Sequence, residues 1–330
     1  MSLGPLVSIG LPVYNGEATI ERALSALLNQ SYKNIELIIS DNGSTDNTLE
    51  IIKKFETTDP RVKIFHSDLN QGATWNFNTV FRYSSGKYFM WASHDDHHEE
   101  TFIATCVTAM EKDGSAALCA PGMQMSEAGT NQILWTSSMD SFKDKRPLTS
   151  RYRETLWNFP AVSIYGLYRR ELLAKTELLP QVIGGDLLFI QNLSLYGYFI
   201  GTPEILFTRH GREKWNSVDQ DYMTFFGRAK KPFWYSPFFA VLGFQVMQLF
   251  TVKLSALHRT KLLAILFNFQ VRQFSLKLGM KICKYVLPNR VKLPTAKFIY
   301  WKFMNGPNIK TDVEDSFTER IIKPRIGWFN

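Results

Sequence analysis

Two adjacent carboxylates, Asp95 and Asp96, close the strongly apolar run Tyr88-Phe89-Met90-Trp91, and His94, His97 and His98 flank them. Like charges placed side by side repel unless a cation or a positive substrate compensates them. Hard oxygen donors of this kind suit Mg²⁺ or Mn²⁺, while the histidines suit a softer metal or simply solvent. Three more polar clusters stand out: Pro12-Val13-Tyr14-Asn15-Gly16-Glu17, Asp41-Asn42-Gly43-Ser44-Thr45-Asp46 and Gly184-Gly185-Asp186. Each has an ordinary explanation when taken singly. Asp-Asn-Gly is a common turn, and an aspartate such as Asp46 favours a helix N-terminus.

The elements around these clusters give them a common address. Val7 to Val13, Ile35 to Ser40, Val62 to Phe65 and Lys87 to Ala92 read as strands. Between them, Ala18 to Gln30, Asp46 to Phe55 and Thr74 to Tyr83 carry helical spacing, the second with Ser44 or Thr45 as its expected N-cap. This alternation predicts an α/β fold with a mostly parallel sheet flanked by helices. Ligands in such sheets bind beyond the carboxyl ends of the strands, where three of the four clusters fall. Further on, the pattern predicts a helix over 101–111, strands over 116–119, 161–168 and 200–208, and a helix over 186–195. Residues 121–150 give no clear pattern.

Charge divides the chain. Of 38 Lys and Arg and 30 Asp and Glu, residues 222–311 hold 15 basic groups and no carboxylate. The expected division is therefore a catalytic α/β domain over 1–225 and a helical, basic and aromatic region over 226–330. A surface of that charge implies an anionic partner, nucleic acid or lipid headgroups. Trp234 to Val252 is mostly apolar, but Pro237, Gly243, Gln245 and Gln248 weaken a membrane-spanning reading. From Lys261 to Leu287 an apolar face (Phe267, Val271, Phe274, Leu278, Ile282, Tyr285) opposes Gln273, Lys277, Lys281 and Lys284. Such a helix suits an anionic membrane surface better than a nucleic acid. Three cysteines without metal-site spacing exclude a disulfide scaffold and point to a reducing compartment, and the N-terminus shows no signal-peptide pattern.

As an ordered set, these motifs resemble the inverting family 2 glycosyltransferases of the GT-A fold over roughly residues 6–215. The match runs through Pro12-Val13-Tyr14-Asn15, the D-x-x-S-x-D of Asp41 to Asp46, Asn70-Gln71-Gly72 with Asn78 beyond it, and Gly86-Lys87-Tyr88 leading to the acidic motif. The resemblance implies transfer of a sugar from a UDP- or dTDP-type donor to a hydroxyl acceptor, saccharide or lipid-linked, in bacterial-type polysaccharide or glycolipid assembly. It implies Mg²⁺ or Mn²⁺ on Asp95, with Asp96 beside it, and His210 as a further ligand. Pro12, Tyr14, Asn15, Glu17, Asp41, Ser44, Asn78, Ser93 and His94 would line the nucleotide-sugar pocket, with Asp41 accepting from a uracil or thymine imide N–H. Asp186 would be the general base.

Three positions depart from the family pattern, one of them Gly185, which stands before Asp186 where a glutamate is usual. Ser93 stands where a first carboxylate is usual, and Phe77 where many members carry a basic residue, which shifts diphosphate neutralisation to the metal, Arg209, His210 or Arg212. Together with the basic region, the resemblance implies a cytoplasmic enzyme peripheral to the inner face of the cell membrane. Asp96-His97-His98 also spells the D-H-H of metal-dependent phosphoesterases, but Tyr14-Asn15 supplies no acidic pair for a two-metal centre. A nicotinamide dehydrogenase would need G-x-G-x-x-G after the first strand, which is missing. A non-catalytic membrane adaptor on the same fold would have no use for Asp95, Asp96 and Asp186 together.

Overall fold

Each of the first four strands ends where its apolar run meets polar residues. The structure is a computed structural model that describes residues 4–127, 132–137, 146–157, 161–210, 218–227 and 236–286, and of residues 135, 161–162, 218–219 and 276–286 the backbone only. β1 (Val7–Val13), β2 (Ile35–Asp41), β3 (Val62–His66) and β4 (Tyr88–Trp91) alternate with α1 (Ile20–Leu28), α2 (Thr48–Thr58) and α3 (Ala73–Arg82). Then come β5 (His97–His98), α4 (Phe102–Lys112), β6 (Ala116–Ser126), β7 (Ile133–Ser137), α5 (Leu148–Trp157) and a 3-10 turn over Ala161–Tyr165. β8 (Leu167–Arg169), α6 (Arg170–Leu173), α7 (Gly185–Ser194), β9 (Tyr198–His210), α8 (Val218–Phe226), α9 (Pro237–Thr251) and α10 (Ala256–Val286) complete the described chain.

Among the described residues the strands form one sheet in the order β3-β2-β1-β4-β8-β6-β9-β5, with β7 paired to β6. β1 pairs in parallel with β2 and β4, and β2 with β3, as the alternation predicts. Beyond β4 the sheet is mixed, because β8 runs antiparallel to both β4 and β6. The 3-10 turn before β8 replaces the first part of the strand expected over 161–168. The apolar, β-branched run there suits a strand locally, but Gly166 N–H bonds back to Ser163 O and the Tyr168 hydroxyl to Ile164 O, which curls the chain.

Alternation along the strands sorts the core into two faces. Val7, Ile9, Leu11 and Val13 of β1 pack with Leu24 and Leu27 of α1, Ile52 of α2 and Phe102 and Met110 of α4. On the other face a Cβ at Gly10 would come within 2.7 Å of Val80 of α3, so only glycine lets that helix lie so close. Phe81 meets Phe89 edge-on at 5.2 Å, and Trp91 meets Phe189 of α7 at 5.3 Å. α3 and α7 thereby cover the face under the end of β4.

Glu36 ties β1, β2 and β3 to the turn before β4. Its carboxylate accepts from Ser8 Oγ at 2.6 Å, from Ser85 N and Oγ at 2.8 Å and from Lys63 Nζ at 2.8 Å. Burial alone would raise its pKa, but these donors outweigh it and hold the carboxyl at about 2, down from 4.5. A depressed carboxyl stabilises the fold fully above its unfolded pKa and loses that contribution as pH falls through the folded value. Stability is therefore expected to decline from about pH 4.5 to about pH 2. Urea titrations across this window should give a flatter profile for Glu36→Gln; an unchanged slope would remove Glu36 from the acid response.

The chain divides into two compact units, one within Met1–Arg146 and Pro160–Val241, the other within Pro147–Phe159 and Leu242–Asn330. In the second, Leu249 of α9 and Leu262 and Leu266 of α10 are buried, and Gln270 Nε2 bonds Gln245 Oε1 at 2.7 Å. Trp157 of α5 meets Phe269 edge-on and carries Arg272 over its ring at 5.5 Å. Exposed apolar side chains remain on both helices: Met247 and Phe250 on α9, and Leu257, Phe267, Val271 and Phe274 on α10. α10 extends the helix expected from Lys261, and the side chains of Lys277, Lys281 and Lys284 lie outside the described residues. No helix among the described residues is long and apolar enough to cross a membrane.

Candidate active site

The loops after β1 and β2 are stitched together by their own polar residues. Asn15 N donates to Ser44 Oγ at 2.9 Å, and Thr45 N to Asn15 Oδ1 at 2.8 Å. Gly16 N donates to Thr48 Oγ1 at 2.8 Å and Glu17 N to Asp46 Oδ2 at 3.1 Å. Glu17 in turn accepts from Asn47 N at 3.0 Å, and Asp46 from Thr48 N at 3.0 Å, so both carboxylates sit at the positive end of α2. Partial burial works against ionised Asp46, but the Thr48 hydroxyl and the surrounding amides lower its pKa. α2 starts at Thr48 after Asn47, later than expected, because the Ser44 hydroxyl is used elsewhere.

That hydroxyl bonds Asp41 Oδ1, and the other carboxylate oxygen faces His66 Nδ1 at 2.8 Å. Asp41 is fully buried, while His66 keeps 35% of its side chain exposed. Gly43 makes the turn at φ +74°, and a Cβ there would come within 2.8 Å of the Leu69 backbone. Asn42 locks the same region, donating to Asn70 Oδ1 at 3.0 Å and accepting from Gln71 N at 2.9 Å. Pro12 is buried at the end of β1, and Tyr14 beyond it is 42% exposed.

The end of β4 carries the two aspartates in unlike settings. Asp95 is half-buried; its carboxylate accepts from the Ser93 hydroxyl, and its carbonyl from Arg22 Nη2 at 3.3 Å. Asp96 is 4% exposed and accepts from His210 N at 3.1 Å. The β6–β9 ladder brings His210 here and pairs it with Ser126, whose hydroxyl meets His210 Nδ1 at 2.8 Å. Burial and then the Arg22 charge lower the His210 pKa, with Asp95 pulling the other way, so the imidazole is neutral and its Nε2 is the nitrogen left for a ligand. His94 Nδ1 lies 2.9 Å from Thr19 Oγ1, against the loop after β1.

Asp186 sits half-buried in the first turn of α7, where Leu187 N donates to its Oδ1 at 2.9 Å. The 3-10 turn and β8 link the two acidic regions. Burial chiefly raises the pKa of Tyr165, and Asp96 and Asp95 add to the effect; burial likewise raises that of Tyr168, with Tyr165 and Asp186 adding to it.

The profile of glycosyl transferase family 2 matches residues 8–176, a little over half of the chain. This chain belongs to glycosyl transferase family 2. Over 92 residues it is 44% identical to an uncharacterised glycosyltransferase of Haemophilus influenzae, covering 28% of this chain and 37% of that protein. It is 40% identical over 91 residues to the Escherichia coli UDP-Glc:alpha-D-GlcNAc-diphosphoundecaprenol beta-1,3-glucosyltransferase WfgD, covering 28% of this chain and 35% of the relative. These matches therefore span little more than a third of either relative. In fold it is similar to residues 1–349 of Staphylococcus aureus TarS in complex with UDP-GlcNAc, at TM-score 0.60 and 18% identity over 91% of this chain and 81% of that one. The Pyrobaculum calidifontis mannosyltransferase PcManGT in complex with GDP-Man and Mn²⁺ follows at TM-score 0.50 and 17% identity, over 90% and 84%. The GT-A fold expected from the motifs is the fold observed.

Within this family 2 chain several of the expected site residues also make contacts inside the protein. Asn78, expected in the nucleotide pocket, donates to Leu179 O at 2.9 Å and accepts from Leu179 N at 3.1 Å. Both halves of its amide hold the segment that leads into α7, so it positions Asp186. The side chains of Asn15 and Glu17 bond the neighbouring loop in the same way. Asp96, expected as a metal ligand, anchors β9 through His210 N. Phe77 packs against Trp91 at 6.5 Å and so belongs to the apolar face. His98 is buried and wedged against Phe102 and Phe207, a packing that argues against the D-H-H reading; burial, then His97, lowers its pKa to about 3.

Arg212, expected to share in neutralising the diphosphate, lies outside the described residues. His66, Arg22 and Asn42 were not among the expected site residues. His66 had a usable signal, since it closes β3 at the same carboxyl end of the sheet as the other clusters; Arg22 had none, being one basic residue on a helix.

Proposed function

We infer that this chain moves a sugar from a nucleoside-diphosphate donor to a hydroxyl acceptor with inversion at the sugar carbon. The observation that carries this reading is the set of polar groups at the carboxyl ends of β1, β2 and β4, with α7, which bears Asp186, packed on the same 3-10 turn that β4 touches. No group of three or more His, Cys, Asp or Glu side chains among the described residues forms a cage for a metal. A divalent ion that shares phosphate oxygens and waters needs only one or two carboxylates from the protein. Asp95 fits that requirement, with His210 Nε2 as a second ligand and Arg22 close by. Bound there, Mg²⁺ or Mn²⁺ would stabilise the charge that develops on the leaving diphosphate.

The chain's own residues supply the rest. Pro12 and Tyr14 bound the nucleotide at the end of β1, Ser93 and His94 face it from β4, and the loop after β2 holds the base. Asp186, fixed by Leu187 N, accepts the proton of the acceptor hydroxyl as that oxygen attacks the sugar carbon from the side opposite the diphosphate. A saccharide or a lipid-linked saccharide is the acceptor, and bacterial-type polysaccharide or glycolipid assembly is the setting. This agrees with the lipid-linked substrate in the name of the WfgD relative.

The composition of the second unit supports a membrane setting. Phe250, Phe267 and Phe274 are 58%, 72% and 63% exposed on helices that also expose Lys261 and Arg272, with Lys253 exposed in the turn between them. With 15 basic groups and no carboxylate over 222–311, this region docks on the anionic inner face of the cell membrane from the cytoplasm. Each basic group near such a surface contributes about 1 kcal/mol, and inserted aromatic rings add to it. In liposome flotation the protein should rise with anionic vesicles, less so at high salt, and much less with Phe267→Ser and Phe274→Ser combined. Equal recovery with neutral and anionic vesicles, or none with either, would overturn the membrane role and leave the transferase reading intact.

A further inference from the structure

We propose that Lys87, Arg169 and Arg170 form a binding site for a phosphate group at the amino end of β4, apart from the donor site and independent of the donor reading. Asp95 lies beyond the carboxyl end of β4, and the strand alone spans about 13 Å. At the other end a cavity of about 300 Å³ is lined by Gly86, Lys87, Arg169, Arg170 and Glu171, a volume at the small end of the range for ligand pockets. The Gly86-Lys87-Tyr88 motif shapes this end. A Cβ at Gly86 would come within 2.7 Å of Leu6 O, so only glycine lets the chain enter β4 so close to the start of β1.

Arg170 is held in place with its fork unused. Its Nε donates to Ser84 Oγ at 2.9 Å and its guanidinium lies over the Phe81 ring at 5.2 Å, which fixes its plane. Ser84 is itself anchored, donating to Phe81 O at 2.6 Å. Nη1 and Nη2 of Arg170 have no partner among the described residues. Arg169 beside it is 5% exposed, and a buried cation is costly unless it is compensated. Its Nε and Nη2 donate to the carbonyls of Ala116, Met110 and Asp113, and its Nη1 to Tyr88 Oη at 3.4 Å. These bonds use four of the five N–H groups of a guanidinium, and none goes to a carboxylate. Glu111, the carboxylate near Tyr88, is engaged by Lys87 Nζ at 2.6 Å and the Tyr88 hydroxyl at 2.5 Å. A tetrahedral oxyanion answers this arrangement, with two oxygens on the Arg170 fork and the charges of Arg169 and Lys87 around it. Three cations favour a phosphate, close to doubly charged at neutral pH, over a carboxylate. Glu171 is the one carboxylate on the cavity wall and holds the affinity down by repulsion.

Calorimetry with inorganic phosphate in the presence of a chelator, which leaves the donor side without a divalent ion, should show one site per chain with Kd below about 1 mM. Arg170→Gln should weaken that binding at least about tenfold, because fork and charge are lost together. Glu171→Gln should tighten it about threefold, a gain that a misfolded chain cannot give. Asp95→Asn should leave it unchanged. A free phosphate compound and a lipid headgroup share this chemistry, and flotation with phosphatidylglycerol vesicles separates them. Equal recovery of Arg170→Gln and the unaltered protein assigns the site to a free compound; a loss in Arg170→Gln that phosphate reproduces in the unaltered protein assigns it to a headgroup. Absence of phosphate binding by the unaltered protein would overturn the proposal. So would affinity that stays the same in both Arg170→Gln and Glu171→Gln, or that disappears in Asp95→Asn, which would put the phosphate at the donor site instead.

Discussion

Asp186→Asn is expected to lower sugar transfer by at least about 10²-fold while leaving UDP affinity within a few-fold of the unaltered protein. The asparagine keeps an Oδ1 for Leu187 N, so the first turn of α7 and the segment held by Asn78 should persist. What is lost is the ability to take a proton from the acceptor hydroxyl, a step that acts in the transition state and not in donor binding. A 10²-fold loss corresponds to about 2.7 kcal/mol, large beside the few tenths expected for a surface change. Initial rates with a saturating donor, together with calorimetry of UDP, separate the two effects. Near-normal turnover would exclude Asp186 as the base. A parallel loss of UDP affinity would show that the carboxylate serves the donor side.

Asp95→Asn should abolish the dependence of UDP binding on Mn²⁺ and leave the melting temperature without ligand nearly unchanged. Asp95 is half-buried beside a second carboxylate, so removing its charge relieves repulsion and leaves an oxygen for the Ser93 hydroxyl. Ligand-induced stabilisation grows as RT ln(1 + [L]/Kd), about 2.7 kcal/mol at a hundredfold excess over Kd, which makes its loss readable as a missing rise in melting temperature. Asp96→Asn gives the contrast. Its Oδ1 still accepts from His210 N, so the strand end should hold and the Mn²⁺ response should weaken only modestly. Equal, complete loss in both variants would mean that the ion sits between the two carboxylates. Retention of the Mn²⁺ effect in Asp95→Asn would move the metal elsewhere.

The places at which chemistry should occur were legible in the sequence because they follow from a rule about strands. Once Val7 to Val13 and Ile35 to Ser40 read as buried parallel strands, the polar residues after them had to lie at the ligand-binding edge. The division of labour among those residues was not legible. Asp95 and Asp96 are adjacent and chemically identical, yet one lies half-open at the strand end and the other is spent on His210 N, 114 positions away. Asn78 matched the motif but bonds Leu179, 101 positions away. The strand expected over 161–168 failed for a related reason, since the turn at Gly166 depends on where Tyr168 finds its partners.

From composition and period alone come the alternation of strands and helices, the carboxylates at the strand ends and the stretch from 222 to 311 without an acid. Hydrophobic patterning is local, repeating every two or 3.6 residues, and so a single chain displays it directly. Which lone pairs stay open for a substrate is not local. It depends on register, which sets His66 opposite Asp41, and on strand order, which carries His210 to Asp96. A buried polar group must find its partner wherever the fold supplies one, because leaving it unpaired costs more than most single contacts return. For this protein the three-dimensional fold therefore decides which of the visible acids and amides meet the donor and which only hold the site in shape.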